Sequence, residues 1–122
     1  MPRLLIVPQD VIGSYPTLPV TAGSADIVWT LSAAAFADGF RFPLTGRELL
    51  IIKNDNAGAQ TVTIDSLVSK RTNRKGDIDA YSMAANDIIV LGPFSKDGWE
   101  QVSGELWGAV TAADLNIAVI KW

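Results

Sequence analysis

The sequence predicts an all-β fold, an antiparallel β-sandwich or barrel of jelly-roll-like kind with an extended N-terminal arm. Three observations predict it: the apolar runs are short, β-branched residues fill them, and turn-forming residues separate them at short intervals. A chain of 122 residues has room for one core and is too short for two. Residues 1–20 are therefore read as the arm and residues 21–122 as a single β domain. A domain of this size buries roughly two-thirds of the surface its unfolded chain would expose, enough for stability without disulfide or metal staples.

In chain order, Pro2, Pro8, Pro16 and Pro19 punctuate the arm and leave one strand-like patch at Leu4 to Val7. Leu31 to Asp38 holds the only helical signal, with Ser32 as a cap before Ala33-Ala34-Ala35 and Asp38-Gly39 as a stop, equally readable as a loop with one helical turn. Leu49-Leu50-Ile51-Ile52 is a continuous apolar run, expected to be buried on both faces, and Lys53 to Gly58 after it is rich in turn residues. From Gln60 to Val68, Val62 and Ile64 point one way and Thr61, Thr63 and Asp65 the other, so these two runs read as a hairpin. Ile78 to Met83 alternates moderately, and Ile88-Ile89-Val90-Leu91 is a second continuous run, expected as a core strand closed by Gly92-Pro93. Asp97-Gly98 is a two-residue hairpin signal, and Ser103-Gly104 between Trp99 to Val102 and Glu105 to Val110 is another. Asp114 to Trp122 puts Leu115, Ile117 and Val119 on one face of a terminal strand and Ala118, Ile120 and Trp122 on the other. The sum is about seven to nine strands in a sandwich or barrel.

Composition removes most chemistry. There is no cysteine and no histidine, which excludes thiol nucleophiles, Cys/His zinc sites and imidazole bases. Neither G-x-G-x-x-G nor G-x-x-x-x-G-K-[ST] occurs, so a nucleotide loop has no support. No cofactor is expected. The net charge of -3 gives no electrostatic case for general nucleic-acid binding, and Leu4 to Val7 is too short for a signal core or a membrane span. A mean hydropathy of +0.23 points to apolar surface covered by a partner.

Four sets of residues carry what chemistry remains. Asp77 and Asp79 could form a carboxylate pair, but among thirteen acidic residues such a pair arises by chance and reads as a solvated strand entrance. Asn54-Asp55-Asn56 resembles part of a calcium loop without its ligand spacing or terminal glutamate, and reads as a turn. Lys70, Arg71, Arg74 and Lys75 place four of the ten basic residues within six positions, either as a docking loop for an acidic surface or nucleic acid or as a hydrated loop that keeps a sheet edge soluble. The four tryptophans, Trp29, Trp99, Trp107 and Trp122, suit both cores and interface hot spots. Trp107 faces opposite to Leu106 and Val110, so one of the two sets looks away from the core, toward a subunit contact or a sugar-stacking role. Arg47, in the turn Thr45-Gly46-Arg47-Glu48, is expected to make a structural ion pair or turn hydrogen bond.

The string Phe42-Pro43-Leu44-Thr45-Gly46-Arg47-Glu48-Leu49-Leu50-Ile51-Ile52-Lys53-Asn54 is followed by Gln60-Thr61-Val62-Thr63-Ile64 and by Gly76-Asp77-Ile78 with Ala80-Tyr81. Gly92-Pro93-Phe94, Gly98-Trp99 and Ile117-Ala118-Val119-Ile120 come after them. In order and spacing, residues 42 to 122 resemble a family of small proteins encoded beside capsid genes in tailed bacteriophages and prophages. The resemblance implies a non-enzymatic virion protein of β structure, made in the host cytoplasm and carried on the capsid surface. Head decoration or cementing is the implied role, with the major capsid protein as partner and a homo-oligomer, a trimer by preference, as the assembled form. Neither nucleic acid nor membrane is an expected partner. The surface expected to make capsid or subunit contacts comprises Arg3, Leu4, Leu5, Ile6 and Val7 of the arm, the loop cations Lys70, Arg71, Arg74 and Lys75, and Trp107. The alternative is a carbohydrate- or receptor-binding sandwich on a phage tail, suggested by the tryptophans, and a hydrolase working with Asp77 and Asp79 alone is the remaining reading.

Overall fold

The computed structural model describes residues 3–10, 27–32, 38–67, 76–101 and 103–121. They form an all-β sandwich. The strands are β1 (Leu4–Leu5), β2 (Gln9–Asp10), β3 (Thr30–Leu31), β4 (Phe40–Pro43), β5 (Glu48–Asn54), β6 (Gln60–Ile64), β7 (Ile78–Met83), β8 (Ile88–Leu91), β9 (Glu105–Val110) and β10 (Leu115–Lys121). The first sheet runs β1-β4-β9-β6-β7; the second runs β2-β10-β5-β8, with β3 also paired to β10.

Period-two alternation builds the core, because every second residue of a strand faces the opposite sheet. Phe40, Phe42, Val62, Ile64 and Leu106 of the first sheet meet Leu50, Ile52, Leu115, Ile117 and Val119 of the second, all buried. Each such side chain contributes about 1.5–3 kcal/mol on leaving water. Gly108 lies opposite Phe40 in the β4–β9 ladder, and a Cβ there would stand 2.5 Å from the tip of the Phe40 ring, so the missing side chain is what seats the aromatic.

The continuous run in β5 is buried on both faces as its composition implies: Leu50 and Ile52 face the core and Ile51 is buried on the other side. Its partner is not β6, however. The expected hairpin is absent because β5 pairs with β10 over seven positions, from Leu115↔Asn54 to Lys121↔Glu48, while β6 pairs with β7 and β9 in the other sheet. The chain changes sheet at every connection except β2–β3 and β6–β7. Alternation says which side of a strand is buried; it does not say which strand lies beside it.

Asn54 fixes two of these crossings, from β5 to β6 and from β7 to β8. Its buried Nδ2 donates to the carbonyls of Gly58, Met83 and Ala84 at 3.0–3.1 Å, and its Oδ1 accepts from Asn56 N–H at 3.0 Å. The Asn54 N–H donates to Asp87 O, and Asn86 N–H donates back to Asn54 O, both at 2.8 Å. One side chain thus ties the end of β5 to the turn before β6 and to the β7–β8 connection. Asn54→Ala is expected to cost about 3 kcal/mol in urea unfolding, since it strands buried polar groups in three segments. A loss below about 1 kcal/mol would mean that water replaces the clamp.

Three further expectations are corrected. Asp97-Gly98 does not join a hairpin: in the Lys96–Trp99 turn Asp97 has φ -71° and ψ 117° and Gly98 φ 96° and ψ -18°, the values of a type II turn, which does not match strand twist. Trp99 to Gln101 form no strand beside β9; a single backbone bond, Gln101 N–H to Glu105 O at 2.8 Å, joins the two segments. Finally, β8 is an edge strand, with β5 as its sole ladder partner among the described residues, and alternate residues of its apolar run, Ile88 and Val90, are exposed on the outer face of the sheet. The helical turn expected at Ala33-Ala34-Ala35 lies outside the described residues, and Leu31 before it belongs to β3.

Residues 3–10 of the expected arm are extended and lie along the body as a strap across one seam of the sandwich. β1 runs parallel to β4, with Leu4↔Phe40 and Leu5↔Arg41, and β2 runs parallel to β10, with Gln9↔Ile120 and Asp10↔Lys121. Both sheets are therefore mixed. Parallel partners must be far apart in sequence, and no local pattern announces them.

Candidate functional site

The strap brings two sets of expected contact residues together on the outer face of the first sheet. Leu5, Arg41 and Trp107 stand in one row across β1, β4 and β9. Arg3, just before β1, lays its guanidinium over the Trp107 ring with Cζ 4.2 Å from the centroid. This geometry contributes about 0.5–1 kcal/mol at a partly exposed site. Trp107 does look away from the core, as its alternation with Leu106 and Val110 requires. Arg3 Nε and Trp107 Nε1 are both buried without a hydrogen-bond partner.

Beside them Arg41 is ion-paired with Glu105, which also accepts from Ser103 Oγ at 3.0 Å. Burial works against the charged form of Glu105, but the hydrogen bonds from Arg41 and Ser103 and the Arg41 charge outweigh it and hold the carboxyl below its usual range. The Trp107 indole assists more weakly, although its N–H makes no hydrogen bond of ordinary geometry. The pair is partly buried and gives the Trp107 side of the sheet a neutral rim.

The structure divides the strap residues by role. Ile6 is 1% exposed and belongs to the core, and Leu4 packs against it, so neither is free for a partner. They are anchors. Leu5 at 43% and Val7 at 72% exposure point outward and remain available. Lys70, Arg71, Arg74 and Lys75 lie outside the described residues, but the two roots of their loop are fixed. Ser66 N–H and Oγ both donate to Asp77 Oδ1, at 2.8 and 2.6 Å, and Gly76 N–H donates to Ser66 Oγ at 3.1 Å. Asp77 is thus a loop anchor, and its hydrogen bonds tie it to Ser66, away from any joint task with Asp79.

Polar side chains elsewhere are occupied in the same structural way. Asn56 Nδ2 donates to both carboxylate oxygens of Asp114 at 3.1 Å, so Asn54-Asp55-Asn56 is a braced turn. In the Thr45-Gly46-Arg47-Glu48 turn the organiser is Glu48, not Arg47. Its buried carboxylate accepts from the Thr45, Gly46 and Arg47 N–H groups and from Thr45 Oγ1, and Arg47 contributes only its backbone. Trp99 packs edge-on against Phe94 with ring centroids 5.1 Å apart, beside the core. Among the described residues no group of three or more acidic, cysteine or histidine side chains could hold a metal ion, and no helix is long and apolar enough to cross a membrane.

Comparison with protein-family models, curated proteins and solved structures finds no match.

The surface that sequence reasoning missed is the opposite seam, where β7 and β8 each have one side without a ladder partner among the described residues. The two edges differ. β7 is interrupted by a bulge at Ala80, whose φ is 51°, and it carries Asp79, both of which discourage further pairing. β8 has neither charge nor bulge, and Ile88 and Val90 are each 58% exposed. Nothing in Ile88-Ile89-Val90-Leu91 separates such an edge from a buried strand, because the two share one composition.

Proposed function

We propose that this protein is a virion structural component, a decoration or cement protein that binds a phage capsid through non-covalent contacts and has no reaction to perform. The observation that carries this reading is the β8 edge: an uncharged, unbulged strand presenting Ile88 and Val90 is a template for strand addition, and such an edge is kept where a partner covers it. The sandwich behind it is packed around one buried core, and the acids and amides that might have done chemistry hold turns and loop roots instead. The basic segment 70–75 supplies an electrostatic contribution that weakens as salt rises. Sequence resemblance over residues 42–122 is what names the capsid as the surface bound, with the major capsid protein as partner. The tryptophans favour sugar stacking less, because Arg3 already covers one face of the Trp107 ring.

The test is co-sedimentation of the intact protein with expanded capsids of a phage that encodes it, across a salt series. Saturable binding that declines with ionic strength is expected. Val90→Lys, which places a charge on the edge, should weaken binding by tenfold or more, on the order of 1.4 kcal/mol, with an unchanged circular dichroism spectrum. Failure of the intact chain to bind capsids overturns the proposal.

A further inference from the structure

The strap is held by a small, separable set of contacts. Its two ladders have two residue pairs each, against seven in the β5–β10 ladder. Its further contacts include Leu4 N–H to Gly39 O at 3.0 Å, Ile6 N–H to Arg41 O at 2.8 Å, Val28 N–H to Gln9 Oε1 at 2.8 Å, buried Ile6, Arg3 over Trp107, and Lys121 paired with Asp10 at 3.6 Å. Its seat cannot stay empty cheaply. Without residues 3–10, the flank of β4 and the Ile120–Lys121 stretch of β10 would lose their partners and the Ile6 site would open the core to water.

Sixteen residues, 11 to 26, separate the strap from Ile27. Fully extended, a connection of that length spans up to about 55 Å, whereas a body of this size is only about 35 Å across. The strap can therefore reach the same seat on an adjoining copy, and it would find there every contact it makes at home.

We propose that residues 3–10 are an exchangeable strap: in assembled copies of this protein, the strap of one chain occupies the seam between β4 and β10 of another. Contacts at the seat are identical in the two arrangements, so the balance is set by concentration. A short connection presents its own strap at an effective concentration on the order of millimolar. Exchange between chains competes when copies are packed together, as on a lattice or during refolding at high protein concentration. Each exchanged strap joins two bodies without any new interface having to evolve. The inference goes beyond the proposed capsid role and holds whatever surface the linked copies cover.

The sequence lacks cysteine, which makes the test clean. Asp10 and Lys121 are ladder partners with exposed side chains, and the double variant Asp10→Cys/Lys121→Cys should close a disulfide when oxidised, showing that the geometry permits the bond. The decisive sample mixes two single variants, Asp10→Cys and Lys121→Cys, unfolded together and refolded at high concentration under oxidising conditions. A strap seated at home then has no cysteine to meet. The expected result is a covalent dimer joining position 10 of one chain to position 121 of the other, mapped by peptide mass spectrometry and in excess over the 10–10 and 121–121 dimers. Ile6→Asp in the Asp10→Cys partner should abolish that excess by unseating the strap. A purely statistical distribution of the three dimers, or no dimer, while the double variant closes within its own chain, overturns the proposal.

Discussion

Glu48→Ala is expected to remove about 4 kcal/mol of stability, and Glu48→Gln only about 1–2 kcal/mol, in urea denaturation at neutral pH. The carboxylate is buried, and Oε1 accepts three backbone N–H groups, from Thr45, Gly46 and Arg47 at 2.9–3.2 Å, while Oε2 accepts the Thr45 hydroxyl at 2.7 Å. Alanine leaves all four donors without a partner inside the turn that launches β5. Glutamine keeps an oxygen for the three N–H groups and loses mainly the charge. Burial pushes the Glu48 carboxyl up, yet the four hydrogen bonds more than compensate and leave its pKa below the ordinary 4.5. A carboxyl whose pKa is depressed by folding contributes stability that is present above the unfolded value and lost as pH falls through the folded one. The gap between wild type and Glu48→Gln should therefore be full at pH 7 and shrink below pH 4.5. A gap that stays constant down to pH 3 would show that the charge is not what the turn holds.

That turn illustrates what the sequence reveals and what it hides. Thr45-Gly46-Arg47-Glu48 is legible as a turn, but Arg47 is the residue that draws attention, because a lone cation in a turn suggests an ion pair. Burial of Glu48 depends on its standing two residues before Leu50 on the inner face of β5, and that follows only once the strand is known to start there. Inward and outward sides elsewhere are legible for one physical reason: Val62 and Ile64, Leu106 and Val110, and Leu115, Ile117 and Val119 obey the two-residue period, and one buried face selects the register. Neighbourhood is not legible. The seven-residue β5–β10 ladder joins positions 61 to 73 apart, and the five-residue link between β5 and β6 looks like a hairpin loop until Asn54 turns it across the sandwich. The same blindness explains the candidate surfaces. Arg3 and Trp107 are each noticeable alone, but their stacking depends on a parallel strap with no local signature, and the Ile88–Val90 edge has the composition of a core strand.

Gly39→Ala is expected to be the other severe substitution, at about 3–4 kcal/mol, and it separates two effects that usually come together. Gly39 has φ +83°, in the left-handed region where a Cβ costs roughly 1–2 kcal/mol. It also lies so close to β9 that an added Cβ would stand 2.5 Å from the Gly108 carbonyl oxygen, a backbone atom that cannot swing aside, and 3.5 Å from Arg3 Nε. Gly104 is the matched control: its φ is +80°, nearly the same, and no atom lies within 4 Å of an added Cβ. Gly104→Ala should lose only the conformational share, about 1–2 kcal/mol, and the difference between the two variants measures the clash. Moving the Gly39 backbone away from β9 would also displace its carbonyl, which accepts Leu4 N–H at 3.0 Å, and so loosen the strap at the end where Arg3 meets Trp107. Gly39→Ala should accordingly raise hydrogen exchange at Leu4 and Ile6 more than at β5, where Gly104→Ala should leave the strap as protected as in wild type. Equal unfolding costs for the two alanine variants would mean that β4 yields without strain, and the tight approach of Gly39 to Gly108 would then have no part in holding the strap.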